Sequence, residues 1–374
     1  MKSEIHKNKV INIVCDYASI YGGNFIPSIL RFANLIKDSY FVFFTFPLEA
    51  KERNWAQYII NSGFSVQYIE FHKKTFRREL KKLNRLKSVN VVYTHFLSSL
   101  RIKLMYPFSF KTKLLFHIHT DVSCGTKAGL FAKAKNFIEH RILRTDAVYF
   151  FVSKDLKNAY KVGKNHYYLP NALCLERVPC NCIDAETLKS NYHINKENTV
   201  YLTFAWNPFV KGTDIIVKAF LDDKNQNNKL IIVYKRDGGY EKCVSYLKET
   251  LKSDSFLQDN RIIFAPPIED VFNYYKISDV FISASRSEGF SYSILESLYF
   301  GLKVISSDIK GTEWAKSYDS VISFESENSA KLNSIINNLK SFKKHNNVQE
   351  KMIHDFDIDC WCAAIKEKAD ELIK

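Results

Sequence analysis

The stretch DVFISASRSEGFSYSILESLYFG, residues 279–301, carries the pattern that decides the fold. Asp279–Ala284 is a short apolar run with the β-branched and aromatic character of a strand buried on both faces. Beyond the polar loop that follows it, Ile294, Leu295, Leu298 and Tyr299 recur at helical spacing. Ser291 stands where an N-cap belongs and Gly301 where a helix stops, so a helix is expected to begin near Ser291. A buried strand leading through a short loop into a helix is half of a βαβ unit, the building block of a parallel sheet.

The same pattern recurs outward in both directions. Upstream the runs are Val10–Cys15, Phe41–Phe46, Ser65–Glu70, Asn90–Thr94, Lys113–His119 and Ala147–Val152. The second half repeats it with Thr199–Phe204, Lys229–Tyr234, Arg261–Phe264, Asp279–Ala284, Leu302–Ser306 and Ser320–Phe324. Between the sets, residues 170–198 hold Pro170, Pro179 and a polar tract without period, which reads as a connection. A chain of 374 residues with 46% hydrophobic content is too long for one core of usual size and rich enough for two. The expected fold class is α/β: two Rossmann-like, doubly wound parallel-sheet domains, residues 1–172 and 198–357, with a cleft between them.

In such sheets ligands sit beyond the carboxyl ends of the strands. There the first strand is followed by Asp16 and by Gly22-Gly23, a turn that can aim backbone amides at a ligand from the start of the next helix. His95 follows Asn90–Thr94, and His117 and His119 end their strand on one face, opposite Leu114, Phe116 and Ile118. A histidine at a strand end serves equally as an ordinary hydrogen-bonded residue. In the decisive stretch Glu288 lies at the helix mouth and Glu296 about a turn inside, where carboxylates accept hydrogen bonds from sugar hydroxyls and helix-start amides hold phosphate. On spacing alone, Glu288 could as well serve the helix N-terminus and Glu296 a solvated face.

Charge is uneven: residues 1–190 carry 30 Lys and Arg against 14 Asp and Glu, and the remainder 24 against 26. A basic half joined to a near-neutral one suggests a domain facing an anionic surface. The run Lys73–Lys87 concentrates this charge, with Phe76, Leu80 and Leu83 on one side at helical spacing. No apolar stretch reaches membrane-spanning length, and the eight cysteines have no disulfide-framework spacing, which points to the cytoplasm. Cys180-x-Cys182 and Cys360-x-Cys362 have one residue between the thiols, outside the usual zinc spacing, so no metal site is expected.

The two glutamates inside Ser-x-x-Glu-Gly-Phe-Ser, Leu295-Glu296-Ser297 and Gly301-Leu302-x-Val304-Ile305-Ser306-Ser307-Asp308 resemble the signature of retaining family-4 glycosyltransferases of the GT-B fold, and the similarity runs on to Gly311-Thr312-Glu313. That resemblance implies that Glu288 lies at the transferred sugar, that Glu296 binds the ribose hydroxyls of a nucleotide, and that Gly289, Phe290 and Ser291 run along the sugar and diphosphate. A second match, Thr203 to Gly212, is similar to the family's strand and loop with Lys-Gly at the helix entry, and implies that Lys211 neutralises the donor diphosphate. The family's Arg five residues earlier is here Trp206; Arg286, Lys235 and Arg236 are the possible substitutes. Cys15-Asp16-Tyr17 with Gly23-Asn24-Phe25-Ile26 resembles the opening loop of bacterial polysaccharide-building members, and Glu139 with Asp146-Ala147 and Val152-Ser153 the last strand of the first domain. The family's histidine beside the transferred sugar matches His119 best.

The resemblance therefore implies an enzyme, a retaining glycosyltransferase of the hexosyltransferase type. It would move a sugar from a nucleotide diphosphate donor, UDP on family frequency, to a saccharide or lipid-linked acceptor, with His119, Lys211 and Glu288 catalytic. Gly23, Arg286, Gly289, Phe290, Ser291 and Glu296 would bind donor, while Asp16 and His95 would line the acceptor side. The final helix, 358–374, would pack back on the first domain. No cofactor or metal is expected, the nucleotide-sugar being a substrate. Composition suits capsule or exopolysaccharide assembly in a low-GC bacterium, with the protein peripheral at the inner face of the membrane. The competing readings are another GT-B catalyst, such as a nucleotide-sugar epimerase, and a basic nucleic-acid-binding protein; no nucleic-acid module accompanies the basic run.

Overall fold

The structure, a computed structural model, describes residues 9–106, 111–119, 137, 142–143, 145–159, 165–179, 183–339 and 346–374. Glu139, Cys180 and Cys182 lie outside them. The chain divides into two compact units, Met1–Val178 with Phe356–Lys374, and Pro179–Asp355.

The first unit is built on seven parallel strands, β1 Val10–Cys15, β2 Phe41–Pro47, β3 Ser65–Ile69, β4 Val91–His95, β5 Lys113–Ile118, β6 Val148–Phe151 and β7 His166–Tyr168, ordered β3-β2-β1-β4-β5-β6-β7. Its central strands carry Val, Ile, Leu, Phe and Tyr on both faces because helices cover both, and Ile11, Ile13, Val91, Tyr93, Leu115 and Phe116 are fully buried. Helix Phe25–Ile36 packs on one face together with the last helix, Ile358–Ile373, whose Trp361, Cys362 and Ile365 join the same core. Arg31 reinforces that contact by donating to both carboxylate oxygens of Asp359 (2.8 and 3.0 Å).

The second unit has six parallel strands, β8 Thr199–Ala205, β9 Asn228–Tyr234, β10 Ile262–Ala265, β11 Val280–Ser283, β12 Lys303–Ser307 and β13 Val321–Phe324, ordered β10-β9-β8-β11-β12-β13. In both sheets the order reverses beside the first strand, between β1 and β4 and between β8 and β11. A crevice opens at such a switch point because the flanking connections leave on opposite faces. The crossover from β11 to β12 carries Glu288 and Glu296, the residues singled out in the decisive stretch.

All twelve sequence-predicted strands are present, with ends that coincide or shift by one residue. The strand missed is β7, three half-buried edge residues too few to show a period. The division also differs, falling at 178/179 instead of leaving residues 173–197 as connection. Helix Ala185–Asn191, capped by the Asp184 carboxylate on the Thr187 amide (2.7 Å), belongs to the second unit. It buries Leu188 alone, and one apolar position makes no period.

Candidate active site

At the second switch point the Lys211 loop is fitted against the end of β11. Gly212 adopts φ +62° and opens helix Thr213–Leu221; a side-chain carbon there would come within 2.1 Å of the Ala284 carbonyl oxygen. Only glycine fits that conformation at that distance. The Arg286 amide donates to the Val210 carbonyl (2.8 Å), tying this loop to the Glu288 loop. Lys211 then reaches Glu288, donating from Nζ to Oε1, and Ser285 Oγ donates to the same oxygen (2.8 Å). Both side chains are largely buried, Lys211 at 22% and Glu288 at 12% exposure, so each compensates a charge the other could not carry alone. Gly311 closes the far side: a side-chain carbon there would lie 2.0 Å from the Glu288 carbonyl oxygen.

Helix Tyr292–Tyr299 starts beside this pair, with Ser291 as its N-cap, its hydroxyl accepting from the Ile294 amide. Glu296 is buried on that helix, and the Tyr275 hydroxyl donates to its Oε2 (2.8 Å). Phe290 is buried against Trp314, ring centroids 4.7 Å apart and nearly parallel. A hollow bordered by Thr203, Phe204, Lys211, Ser283, Ser285 and Ser291 lies at this end of the sheet.

Arg286 sits elsewhere than on this hollow. Its guanidinium is engaged by both oxygens of Asp214 (3.0 and 2.8 Å) and by the Phe209 carbonyl. Burial pushes the Asp214 carboxyl up, but hydrogen bonds from Arg286 and Tyr246 outweigh it and hold the group below its usual range. The pair therefore clamps the helix that follows Lys211 to the loop that carries Glu288. Trp206, where an arginine was looked for, stacks flat on Phe204 (5.8 Å, 3°) and is 38% exposed. Lys235 lies exposed just beyond β9, as does Arg236.

The first switch point is neutral where the second is ionic. Cys15, His95 and His117 pair across β1, β4 and β5, so the residues beyond them leave the sheet together. The Asp16 amide donates to the His95 carbonyl (3.1 Å). His95 Nδ1 and His119 Nε2 are 3.0 Å apart and share one proton, while His117 Nδ1 bonds the Tyr93 hydroxyl (2.9 Å). All three rings are buried, and burial drives their pKa values down, His119 to about 3, with mutual repulsion adding to the fall for His95 and His117. They are neutral at pH 7. Asp16 is raised by burial against the opposing pull of His72 and Arg101.

One nitrogen of each histidine falls within 4.8 Å of the others, which makes this the group among the described residues that could hold a metal ion. Its Nδ1 atoms at His95 and His117 and Nε2 at His119 are already spent on internal hydrogen bonds. Among the described residues Cys360 and Cys362 gather no such group: one is exposed and the other buried on the same helix. Gly23, the remaining residue singled out in this unit, accepts from Arg177 at its carbonyl (2.8 Å).

Residues 184–354, which contain the whole ionic site, match the family described as glycosyl transferases group 1. Through this segment, a little under half of its length, the chain is similar to that family.

Among curated relatives, this chain is 31% identical over 159 residues to the alpha-monoglucosyldiacylglycerol synthase of Streptococcus pneumoniae, a match covering 41% of this chain and 35% of that protein. The chain thus spans about a third of that relative's length. It is 23% identical over 315 residues to the capsular polysaccharide biosynthesis glycosyltransferase CapH of Staphylococcus aureus, covering 82% of this chain and 83% of the other. Its fold is GT-B, shared with Anabaena HepE crystallised with UDP-glucose: TM-score 0.75, 14% identity, 97% of this chain and 99% of that one.

The sequence pattern singles out Lys211, Glu288 and Glu296 and misses the groups that hold them. Tyr275 has no local signal, being one aromatic among several in Phe272–Lys276. Asp214 had one, as an acid in the first turn of a helix just after Lys211-Gly212.

Proposed function

We propose that this glycosyltransferase moves a sugar, with retention at its anomeric carbon, from a UDP-sugar to a saccharide or lipid-linked acceptor in bacterial surface polysaccharide synthesis. The Lys211–Glu288 pair at the second switch point carries this reading. A UDP-sugar diphosphate brings two negative charges to Lys211 and to the amides at the start of helix Tyr292–Tyr299. Competing for Lys211, it would release Glu288 to accept from a hydroxyl of the bound sugar, with Ser285 keeping the carboxylate in place. Glu296, held by Tyr275, would accept from the ribose hydroxyls.

Retention follows a front-face route in this reading. The bond from the anomeric carbon to the phosphate oxygen breaks, a bond to the acceptor oxygen forms on the same face, and the acceptor proton passes to the departing phosphate. Lys211 and the helix-start amides stabilise the charge gathering there, which is the main electrostatic contribution and requires no metal. The HepE complex with UDP-glucose and the capsule role named for CapH support donor and pathway class.

The acceptor would be met by the basic first unit at an anionic membrane on the inner face of the cell. Helix Phe76–Leu86 buries Phe76 and Leu80, so its apolar side belongs to the unit's core, while Arg77, Arg78, Lys81, Lys82 and Arg85 are exposed. Among the described residues no helix is long and apolar enough to cross a membrane. Adsorption would rest on charge alone, at about 1 kcal/mol for each basic residue near the leaflet. Co-flotation with liposomes should require anionic lipid and fall steeply with salt; equal recovery on neutral vesicles would remove the membrane from the scheme. For the transfer itself, purified protein is mixed with UDP-glucose, UDP-galactose or UDP-N-acetylglucosamine, and free UDP is assayed with and without a membrane extract. UDP release that depends on the extract supports transfer; its absence with every donor overturns it.

A further inference from the structure

Six non-glycine residues among those described have positive φ, and five are polar residues exposed on the surface: Ser88, His193, Asp237, Lys252 and Glu327. The sixth is Phe96, at φ +60°, immediately after β4 at the first switch point. A bulky aromatic pays for that conformation with strain, which persists where the surroundings over-determine it and clusters at ligand-binding sites. The surroundings here are aromatic. Phe96 stacks on His119 (4.2 Å, 24°) and on Tyr17 (5.9 Å, 29°), and meets the edge of Phe25 (4.9 Å, 69°). Tyr17 is itself pinned, its hydroxyl donating to the Tyr21 carbonyl (2.8 Å). Yet 39% of Phe96 stays exposed, so the strained turn holds a ring at the surface instead of burying it.

A carboxylate leaves the sheet on the strand next to that ring's. Asp16, a quarter exposed at the end of the neighbouring strand, presents a carboxylate 3.8 Å from His72, and its amide is bonded to the carbonyl of His95, the residue before Phe96. A partly exposed aromatic ring one strand away from a hydrogen-bond acceptor matches a pyranose, whose axial C–H bonds form an apolar face and whose hydroxyls ring its edge. We propose that Phe96, braced by Tyr17 and His119, is the platform on which the acceptor's saccharide ring stacks, with Asp16 accepting from one of its hydroxyls. The assignment rests on the transferase reading above and adds the part of the acceptor recognised, a sugar ring and not a lipid chain.

The test uses Phe96→Gly and Phe96→Asn, both of which tolerate positive φ and lack the ring, with Phe96→Tyr as the variant that keeps it. Transfer is followed at saturating UDP-sugar against a dilution series of the membrane extract, and UDP affinity is measured calorimetrically on the same preparations. The platform predicts that the extract concentration for half-maximal rate rises about three- to tenfold in both ring-less variants, the size of one lost aromatic contact. UDP affinity should stay unchanged and Phe96→Tyr should restore the wild-type value. Unchanged half-saturation in a folded Phe96→Gly or Phe96→Asn overturns the platform while leaving the transferase reading intact. Wild-type protein that binds no UDP overturns that reading, and the platform with it.

Discussion

The two units repeat one sheet order and one switch point, and furnish them with opposite chemistry. In the second unit the carboxyl ends of β8 and β11 gather paired charges, Lys211 with Glu288 and Asp214 with Arg286. In the first, β1, β4 and β5 gather neutral imidazoles and aromatic rings, with Asp16 at the edge. A diphosphate calls for fixed charge, whereas a sugar ring calls for apolar faces and neutral donors and acceptors. In the proposed scheme the same fold element separates two recognition tasks by side chain alone, which is the way function is grafted on a shared fold.

The contrast is tested most severely at the ionic site. Lys211→Ala should lower turnover by about 10²–10³-fold, the usual consequence of removing one preorganised group from a developing charge. Lys211→Arg, which keeps the cation, should cost less, and equal activity in both variants would take Lys211 away from the diphosphate. Glu288→Gln should reduce turnover with little change in UDP affinity if, as proposed, its partner is the reacting sugar.

A smaller loss is expected for nucleotide binding. Glu296→Ala should weaken UDP by about tenfold to a hundredfold, matching the loss of hydrogen bonds to a charged group. Tyr275→Phe should weaken it less, since the carboxylate remains and only its anchor is gone. Calorimetry with UDP alone separates these effects from chemistry, and wild-type affinity in Glu296→Ala would remove Glu296 from the ribose.

The neutral site should announce itself through pH. The folded state keeps His95, His117 and His119 unprotonated, His119 with its pKa at about 3, whereas the unfolded chain takes up protons near the ordinary histidine value of 6.5. The unfolded state then binds more protons as pH falls, so this contribution is complete above pH 6.5 and is lost on the way down toward pH 3. Each imidazole accounts for at most about 1.4 kcal/mol per pH unit in that window. Denaturant titrations from pH 7.5 to 5 should show the loss, and a His95→Asn, His117→Asn, His119→Asn variant should flatten it; an unchanged slope would mean the three are not buried neutral. The smallest expected effect is none: excess EDTA should leave the transfer rate unaltered, and loss of activity restored by Mg²⁺ or Mn²⁺ would give the metal-free scheme up.

Among the described residues, twelve of the thirteen strands, the cap at Ser291 and the placement of Lys211, Glu288 and Glu296 beyond strand ends could be read from the chain, because each is a local pattern. A buried run, a capping hydroxyl or a glycine at a helix entry acts on neighbours a few residues away, and that is the range over which sequence alone speaks. What tertiary structure decided lies at long separation. Tyr275 meets Glu296 across 21 residues, Arg286 meets Asp214 across 72, and His95 meets His119 across 24. Arg286 reads as a donor contact until the sheet brings Asp214 beside it, and nothing local to the sequence marks Phe96, whose positive φ and partial exposure appear only in the folded chain. Strand order sets those meetings, and strand order is won by packing the whole core, a sum over many weak contacts that no single stretch of sequence contains.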